Sequence, residues 1–158
     1  MKRLLFVCLG NICRSPMAEF IMKKLVKEAG LESEFEIASA ATSDYEIGNP
    51  VYPLAQEKLK EHGIRCAGKT ARQMTRKDYD RYDLLIGMDQ QNLADMRNIC
   101  GGDREDKLRL LMDYTDRPGS VSDPWFTRNF EEAWVDVEEG CRGLLAYLQN
   151  KKGAKRRV

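Results

Sequence analysis

The sequence predicts a single α/β domain in which a parallel sheet carries helices on both faces. Two observations lead there. Apolar strand-like runs alternate with amphipathic helical segments along the chain, and the first run, LLFVC, is continuously apolar, as a strand buried on both faces requires. A length of 158 residues accommodates one ordinary domain and not two. Strands that return through helices lie parallel, and ligands of such sheets sit beyond the strands' carboxyl ends.

Taken in order, LLFVC (residues 4–8) is the first strand. Ser15 and Pro16 start the first helix, with proline at its first position. Ala18, Ile21, Met22, Leu25 and Ala29 form its apolar stripe, and Gly30 ends it. FEIASAA (35–41) is the second strand. Residues 51–62 are a helix with Leu54, Ala55 and Leu59 inward and Gly63 as its stop. DLLIGM (83–88) is the third strand, with Asp89 capping the helix that follows, and LRLLM (108–112) is the fourth. The last helix opens on a cap pattern, Asn129 with Glu132. Its stripe of Phe130, Trp134, Val137, Cys141, Leu144 and Leu148 recurs at helical spacing. The domain spans 1–150, and KKGAKRRV (151–158) reads as a basic, flexible tail, with docking to an acidic partner as the alternative.

Composition is that of a soluble globular protein, with 42% hydrophobic and 32% charged residues. No apolar run approaches the roughly 20 residues that span a membrane. The start resembles a signal peptide, but its apolar stretch, Leu4–Leu9, is too short and lacks a small-residue cleavage site. Five cysteines, an odd number without framework spacing, point to a reducing cytoplasm. A net charge of +1 excludes bulk electrostatic binding to nucleic acid.

Chemistry concentrates in VCLGNICRSP (7–16), which falls at the end of the first strand and the start of the first helix. The turn of Leu9, Gly10, Asn11, Ile12 and Cys13 offers successive backbone N–H groups, and the helix N-terminus adds partial positive charge. Together they make a cradle for an oxyanion of phosphate size. Arg14 adds a planar, charged fork able to hold two phosphate oxygens. Such surroundings favour a thiolate over a thiol, so Cys8 sits where a nucleophile belongs. Ser15 is placed to hydrogen-bond that sulfur. Cys13, next to Arg14, is expected to face elsewhere. The motif is neither a dinucleotide fingerprint nor a triphosphate loop. Cys8, Cys13 and the lone His62 do not make a zinc set, since no second cysteine pair follows. A thiolate that attacks a phosphate monoester needs an acid for the leaving oxygen. SVSDPWF (120–126) supplies the candidate, Asp123, which Pro124 keeps out of helical conformation, with Trp125 and Phe126 available to wall a cleft.

At this point the sequence resembles the low molecular weight protein tyrosine phosphatases. The matching pieces are VCLGNICRSP, SAATSDYEIGNP, HGI at 62–64, ARQ at 71–73, MDQQNL at 88–93 and DPWF, and they cover nearly the whole chain. The resemblance implies a four-stranded parallel sheet and hydrolysis through a cysteinyl-phosphate without metal or cofactor. Cys8 is then the nucleophile, Arg14 the clamp, and Asp123 the acid and later the base. Asn11 braces the loop through bonds that include Ser39, Ser15 tunes Cys8, and Tyr45 and Trp125 line the cleft mouth. Cys13 matches a reversible redox partner of the nucleophile. Expected partners are phosphotyrosine proteins and inorganic phosphate, with no nucleic acid, no membrane and a monomeric state. Phe126 stands where many members carry a second tyrosine. Gly68 stands where some carry a histidine that supports the aspartate matching Asp89. Two rivals remain open: an arsenate reductase on the same fold, and an idle phosphotyrosine-binding or redox-sensing module.

Overall fold

The computed structural model of the chain describes residues 1–157, with side chains through residue 150. Four strands, β1 (Lys2–Cys8), β2 (Phe35–Ala41), β3 (Leu84–Gly87) and β4 (Leu108–Leu110), form one sheet in the order β2-β1-β3-β4. All three pairings are parallel, with Cys8 opposite Ala41 and Val7 opposite Gly87. Leu4, Leu5, Phe6 and Val7 are fully buried, as the apolar run requires. Alternation then divides them between two cores. Leu4, Phe6 and Cys8 join the core built with α1 (Arg14–Glu28) and α6 (Phe130–Arg157), and also with α2 (Pro53–Glu61). Leu5 and Val7 join the core of α3 (Arg76–Arg81) and α4 (Gln90–Cys100) on the opposite face.

Local chemistry explains most boundaries. Asp89 caps α4 by accepting from the Asn92 N–H at 2.7 Å, and Asn129 Oδ1 accepts from the Glu132 N–H at 3.0 Å at the start of α6. Gly30, at φ +73°, lets the Leu31 N–H reach the Val26 carbonyl and closes α1 with the left-handed residue such a C-terminus needs. All six stripe residues of α6 are buried.

Four expectations need correction. The first helix begins at Arg14 with Cys13 at its cap, two residues ahead of the expected start at Pro16, because the loop folds into the helix without a break. Ala29 is exposed, since the helix ends at Glu28 and Ala29 is its C-cap. The fourth strand stops at Leu110, and Leu111–Tyr114 wind into a 3₁₀ turn under α6. There Gly140 and Gly143 let α6 approach the turn so closely that a Cβ at 143 would overlap the Tyr114 carbonyl oxygen. Finally, α3 has a full capping box of Thr75 and Asp78 that the apolar pattern alone does not reveal. The reading of 151–158 as a flexible tail lies outside the residues whose side chains are described. Among the described residues, no helix is long and apolar enough to cross a membrane.

Candidate active site

The strand order places the connection leaving β1 toward β2 and that leaving β3 on opposite sides, so the crevice between β1 and β3 is where ligands of such sheets bind. Residues 9–13 lie there. Their carbonyls are tied to outside partners: Cys8 O accepts from the Thr42 N–H, Leu9 O from the Ser43 N–H and hydroxyl, Ile12 O from the Tyr52 N–H, and Cys13 O from the Met17 N–H. In a trans peptide the N–H points opposite to the carbonyl. The N–H groups of Leu9, Gly10, Cys13 and Arg14 therefore turn the other way, into the cleft. Asn11 reverses the chain between them at φ +58°, a conformation Asn adopts at lower cost than most residues.

Beneath the loop lies a buried polar chain. Asn11 Nδ2 donates to Ser15 Oγ at 2.8 Å and to Ser39 Oγ at 2.9 Å, while its Oδ1 accepts from the Arg72 N–H at 3.3 Å. Ser39 then donates to Glu19 Oε1 at 2.6 Å. Ser15 Oγ lies 3.0 Å from Cys8 Sγ and 3.5 Å from the Ala40 carbonyl. Because Asn11 already donates to Ser15, the hydroxyl proton is free for an acceptor, and the sulfur is the nearer one. The Asn11 N–H also reaches Cys8 Sγ at 3.3 Å. Glu19, itself buried, is balanced by Lys23 at 2.6 Å and Lys69 at 3.4 Å. Burial pulls the Lys69 ammonium below its ordinary range, with Glu19 opposing.

The Arg14 side chain is only 3% exposed and is held from three sides. Its Nη1 donates to Asp89 Oδ2 at 2.7 Å and to the Val121 carbonyl at 2.9 Å, and its Nη2 reaches Asp123 Oδ2 at 3.4 Å. Burial opposes the guanidinium charge, but Cys8, Asp123 and Asp89 together hold the group above its ordinary value. Asp123 caps the single-turn α5 (Pro124–Thr127), accepting from the Trp125 N–H at 3.0 Å, and its backbone stays extended, as Pro124 requires.

Cys8, Arg14 and Asp123 line one cleft of about 200 Å³, with Leu9, Gly10, Ile12 and Cys13 in its floor and Tyr45, Trp125 and Phe126 at its mouth. Cys13 thus shares the cleft, against the expectation that it faces elsewhere. It is 4% exposed, and its thiol is pushed up first by burial and then by the charges of Cys8 and Asp123. Ser39 is fully buried behind the loop, and Tyr45 is 74% exposed. His62 stacks on Trp134 at 4.0 Å, away from this constellation. Among the described residues, no group of three or more His, Cys, Asp or Glu is placed to hold a metal ion. A roomier hollow of about 440 Å³ between α1 and residues 63–65 is lined by lysines and apolar side chains without a nucleophile.

Three contributors escaped the sequence reading. Asp89 is legible as a helix cap and as a family aspartate, but not as the partner of Arg14, which its second oxygen holds. Glu19 looked like an ordinary polar position on α1. Tyr52 gave no signal beyond lying just before a proline.

A buried cysteine sulfur in a loop of cleft-facing amides, faced by a clamped arginine and a carboxyl group, is an arrangement that can receive a phosphate ester. Comparisons with known proteins agree. The family model described as low molecular weight phosphotyrosine protein phosphatase matches residues 3–154. The chain is 41% identical over 154 residues to the low molecular weight protein-tyrosine-phosphatase YfkJ of Bacillus subtilis, covering 96% of this chain and 99% of that protein. The crystal structure of YfkJ superposes with a TM-score of 0.93, over 96% of this chain and 97% of that one. The chicken low molecular weight phosphotyrosine protein phosphatase (Gallus gallus) is 39% identical over 149 residues, 91% of this chain and 94% of that protein. The chain belongs to the low molecular weight phosphotyrosine protein phosphatase family.

Proposed function

We propose that the chain hydrolyses phosphotyrosine in proteins, with Cys8, Arg14 and Asp123 as its catalytic residues. The observation that carries this reading is the placement of Cys8 Sγ, held by Ser15 at 3.0 Å in a loop whose amides face the same cleft as Arg14 and Asp123. The Cys8 thiolate attacks phosphorus and forms an S–P bond as the P–O bond to the tyrosine breaks. Asp123, protonated, gives its proton to the departing phenolate oxygen. Loop amides and Arg14 take up the charge on the equatorial oxygens, so the reading needs no metal or cofactor. Water then attacks the cysteinyl-phosphate while the Asp123 carboxylate accepts its proton. The S–P bond breaks, and inorganic phosphate leaves. The Ser15 hydroxyl supports the sulfur as a leaving group. Tyr45, Trp125 and Phe126 form apolar walls suited to an aryl ring.

Inorganic phosphate, as the product, acts as a competitive inhibitor in this reading, and the enzyme works as a cytoplasmic monomer. Cys13 serves as redox partner. Peroxide turns the Cys8 thiolate into an uncharged sulfenic acid, which removes one of the charges that suppress ionisation of Cys13. Attack by Cys13 then forms the disulfide and releases water. An arsenate reductase relay is poorly supported: Cys100 sits in the core on the other sheet face, and Cys141 is buried where α6 meets α1.

Steady-state assay on a phosphotyrosine peptide tests the assignment. Cys8→Ser abolishes turnover; Cys13→Ser retains most of it but loses thiol-dependent recovery after peroxide. Equal inactivation by both substitutions refutes the roles.

A further inference from the structure

Asp123 faces the nucleophile from a four-residue turn whose Trp125, Phe126 and Thr127 are all exposed. Its contact with Arg14 is long, at 3.4 Å, and its other side-chain bond, to the Trp125 N–H, lies within the turn itself. Neither fixes the turn over Cys8. What lies behind the turn does so. Arg128 closes it by donating its N–H to the Pro124 carbonyl at 2.8 Å, in a left-handed conformation at φ +61°. A non-glycine residue held there costs about 1–2 kcal/mol, so surrounding contacts must fix it.

Those contacts converge on Tyr52. Arg128 Nη2 donates to the Tyr52 hydroxyl at 2.8 Å, and Nη1 reaches the Trp125 carbonyl at 3.4 Å. The guanidinium carbon lies 5.3 Å from the centre of the Tyr52 ring and 5.7 Å from that of Phe130. The Tyr52 ring meets Trp125 edge-on at 4.9 Å and stacks on Phe130 at 5.9 Å. At its other end, the Tyr52 N–H donates to the Ile12 carbonyl at 2.9 Å, on the phosphate loop. One residue therefore touches both halves of the site, through its backbone on the nucleophile side and through its ring on the acid side.

We propose that Tyr52 and Arg128 are positioning residues that fasten the Asp123 turn to the Cys8 loop and so set the reach of the acid to the leaving oxygen. This rests on the reading of Asp123 as the general acid. The fork of arginine is needed, because it bonds one ring while lying over two, which a lysine cannot reproduce.

The test compares kcat/KM for two aryl phosphates, para-nitrophenyl phosphate, whose leaving group needs little protonation, and phenyl phosphate, whose leaving group needs it most. A general acid contributes about 10²–10⁴-fold; a misplaced one forfeits part of that. Arg128→Ala and Tyr52→Leu are expected to lower kcat/KM for phenyl phosphate roughly tenfold more than for para-nitrophenyl phosphate, with Arg128→Lys close to Arg128→Ala. The double variant should equal the worse single one, because both act through one contact. Asp123→Asn is run alongside. If it shows no leaving-group dependence, the acid assignment fails. If it does show dependence while Arg128→Ala slows both substrates equally or neither, the fastening proposal is overturned and the assignment stands. Arg128 is exposed, so its variants carry the test should Tyr52→Leu fail to fold.

Discussion

Replacing Asn11 with alanine removes three side-chain hydrogen bonds at one stroke: to Ser15 at 2.8 Å, to Ser39 at 2.9 Å, and from the Arg72 N–H at 3.3 Å. Asn11 is 1% exposed, so water does not replace them. At about 1 kcal/mol net for each bond, the loss is about 3 kcal/mol. The backbone adds to it, since alanine at φ +58° costs roughly 1 kcal/mol more than asparagine. The expected destabilisation is about 4 kcal/mol, a large part of the roughly 5–15 kcal/mol of a typical domain. Urea unfolding measures it, and Asn11→Gly separates the two contributions. Glycine deletes the same side chain without the backbone strain, so it should recover about 1 kcal/mol relative to alanine. Both variants free the Ser15 hydroxyl from its donor, and turnover should fall even at temperatures where the variant remains folded. A cost under about 1 kcal/mol for Asn11→Ala, or glycine no better than alanine, would refute the account of the loop as braced by this side chain.

Iodoacetamide at neutral pH should modify Cys8 ahead of Cys13, Cys66, Cys100 and Cys141, as read by peptide mass spectrometry, because burial pushes all four of those thiols up, that of Cys100 to about 11. Gly143→Ala gains up to about 1 kcal/mol of helix propensity but drives a methyl into the Tyr114 carbonyl. Overpacking of this kind costs about 1–3 kcal/mol, so the melting temperature should fall; a rise would mean that α6 moves away freely. Asp89→Asn keeps a residue able to cap α4 but removes the charge facing Arg14, and a loss of about 1.5–3 kcal/mol in urea unfolding is expected. Asp89→Ala should cost about 1 kcal/mol more for the cap.

The legibility of this chain differs between its elements for physical reasons. β2 was readable to the residue because its run of apolar and small residues stands between polar turns at both ends. The α6 stripe was readable because six apolar residues at helical spacing need a partner. Cys8, Arg14 and Ser15 were readable because their spacing within one loop encodes their geometry. Asp123 needed the loop to make sense of it, 109 positions from the Arg14 that it faces. Glu19, Asp89 and Tyr52 were not assigned their roles at the site, because each acts through a contact 20 to 76 positions away that no local pattern records. α3 was missed for a simpler reason: its six residues are mostly charged, so a polar cap, the Arg72–Asp78 pair and the single core residue Tyr79 hold it without an apolar stripe.

The two halves of the site are built to different mechanical standards, and this has consequences for how they tolerate change. The Cys8 loop is buried: Asn11, Arg14, Ser15 and Ser39 are all at most 2% exposed, and each has hydrogen-bond partners within the fold. A substitution there removes stability and activity together, because the groups that orient the thiol also complete the core between β1 and α1. The acid turn is exposed, and it is fastened through aromatic and guanidinium contacts in place of a ladder. On the proposed reading of Asp123 as the acid, substitutions of its exposed residues change the reach of Asp123 while leaving the core intact. A turn of this kind opens locally at far lower free energy than the sheet, which suits a wall that must admit a phosphorylated side chain of a protein and release phosphate. Rigidity is required where charge develops on the phosphoryl oxygens, since an oxyanion cradle works only when its donors are already aimed. It is not required to the same degree at the acid, which needs one proton delivered to one oxygen. The stable loop and the lightly fastened turn are therefore two answers to two demands of one reaction, and Tyr52 lies where the two meet.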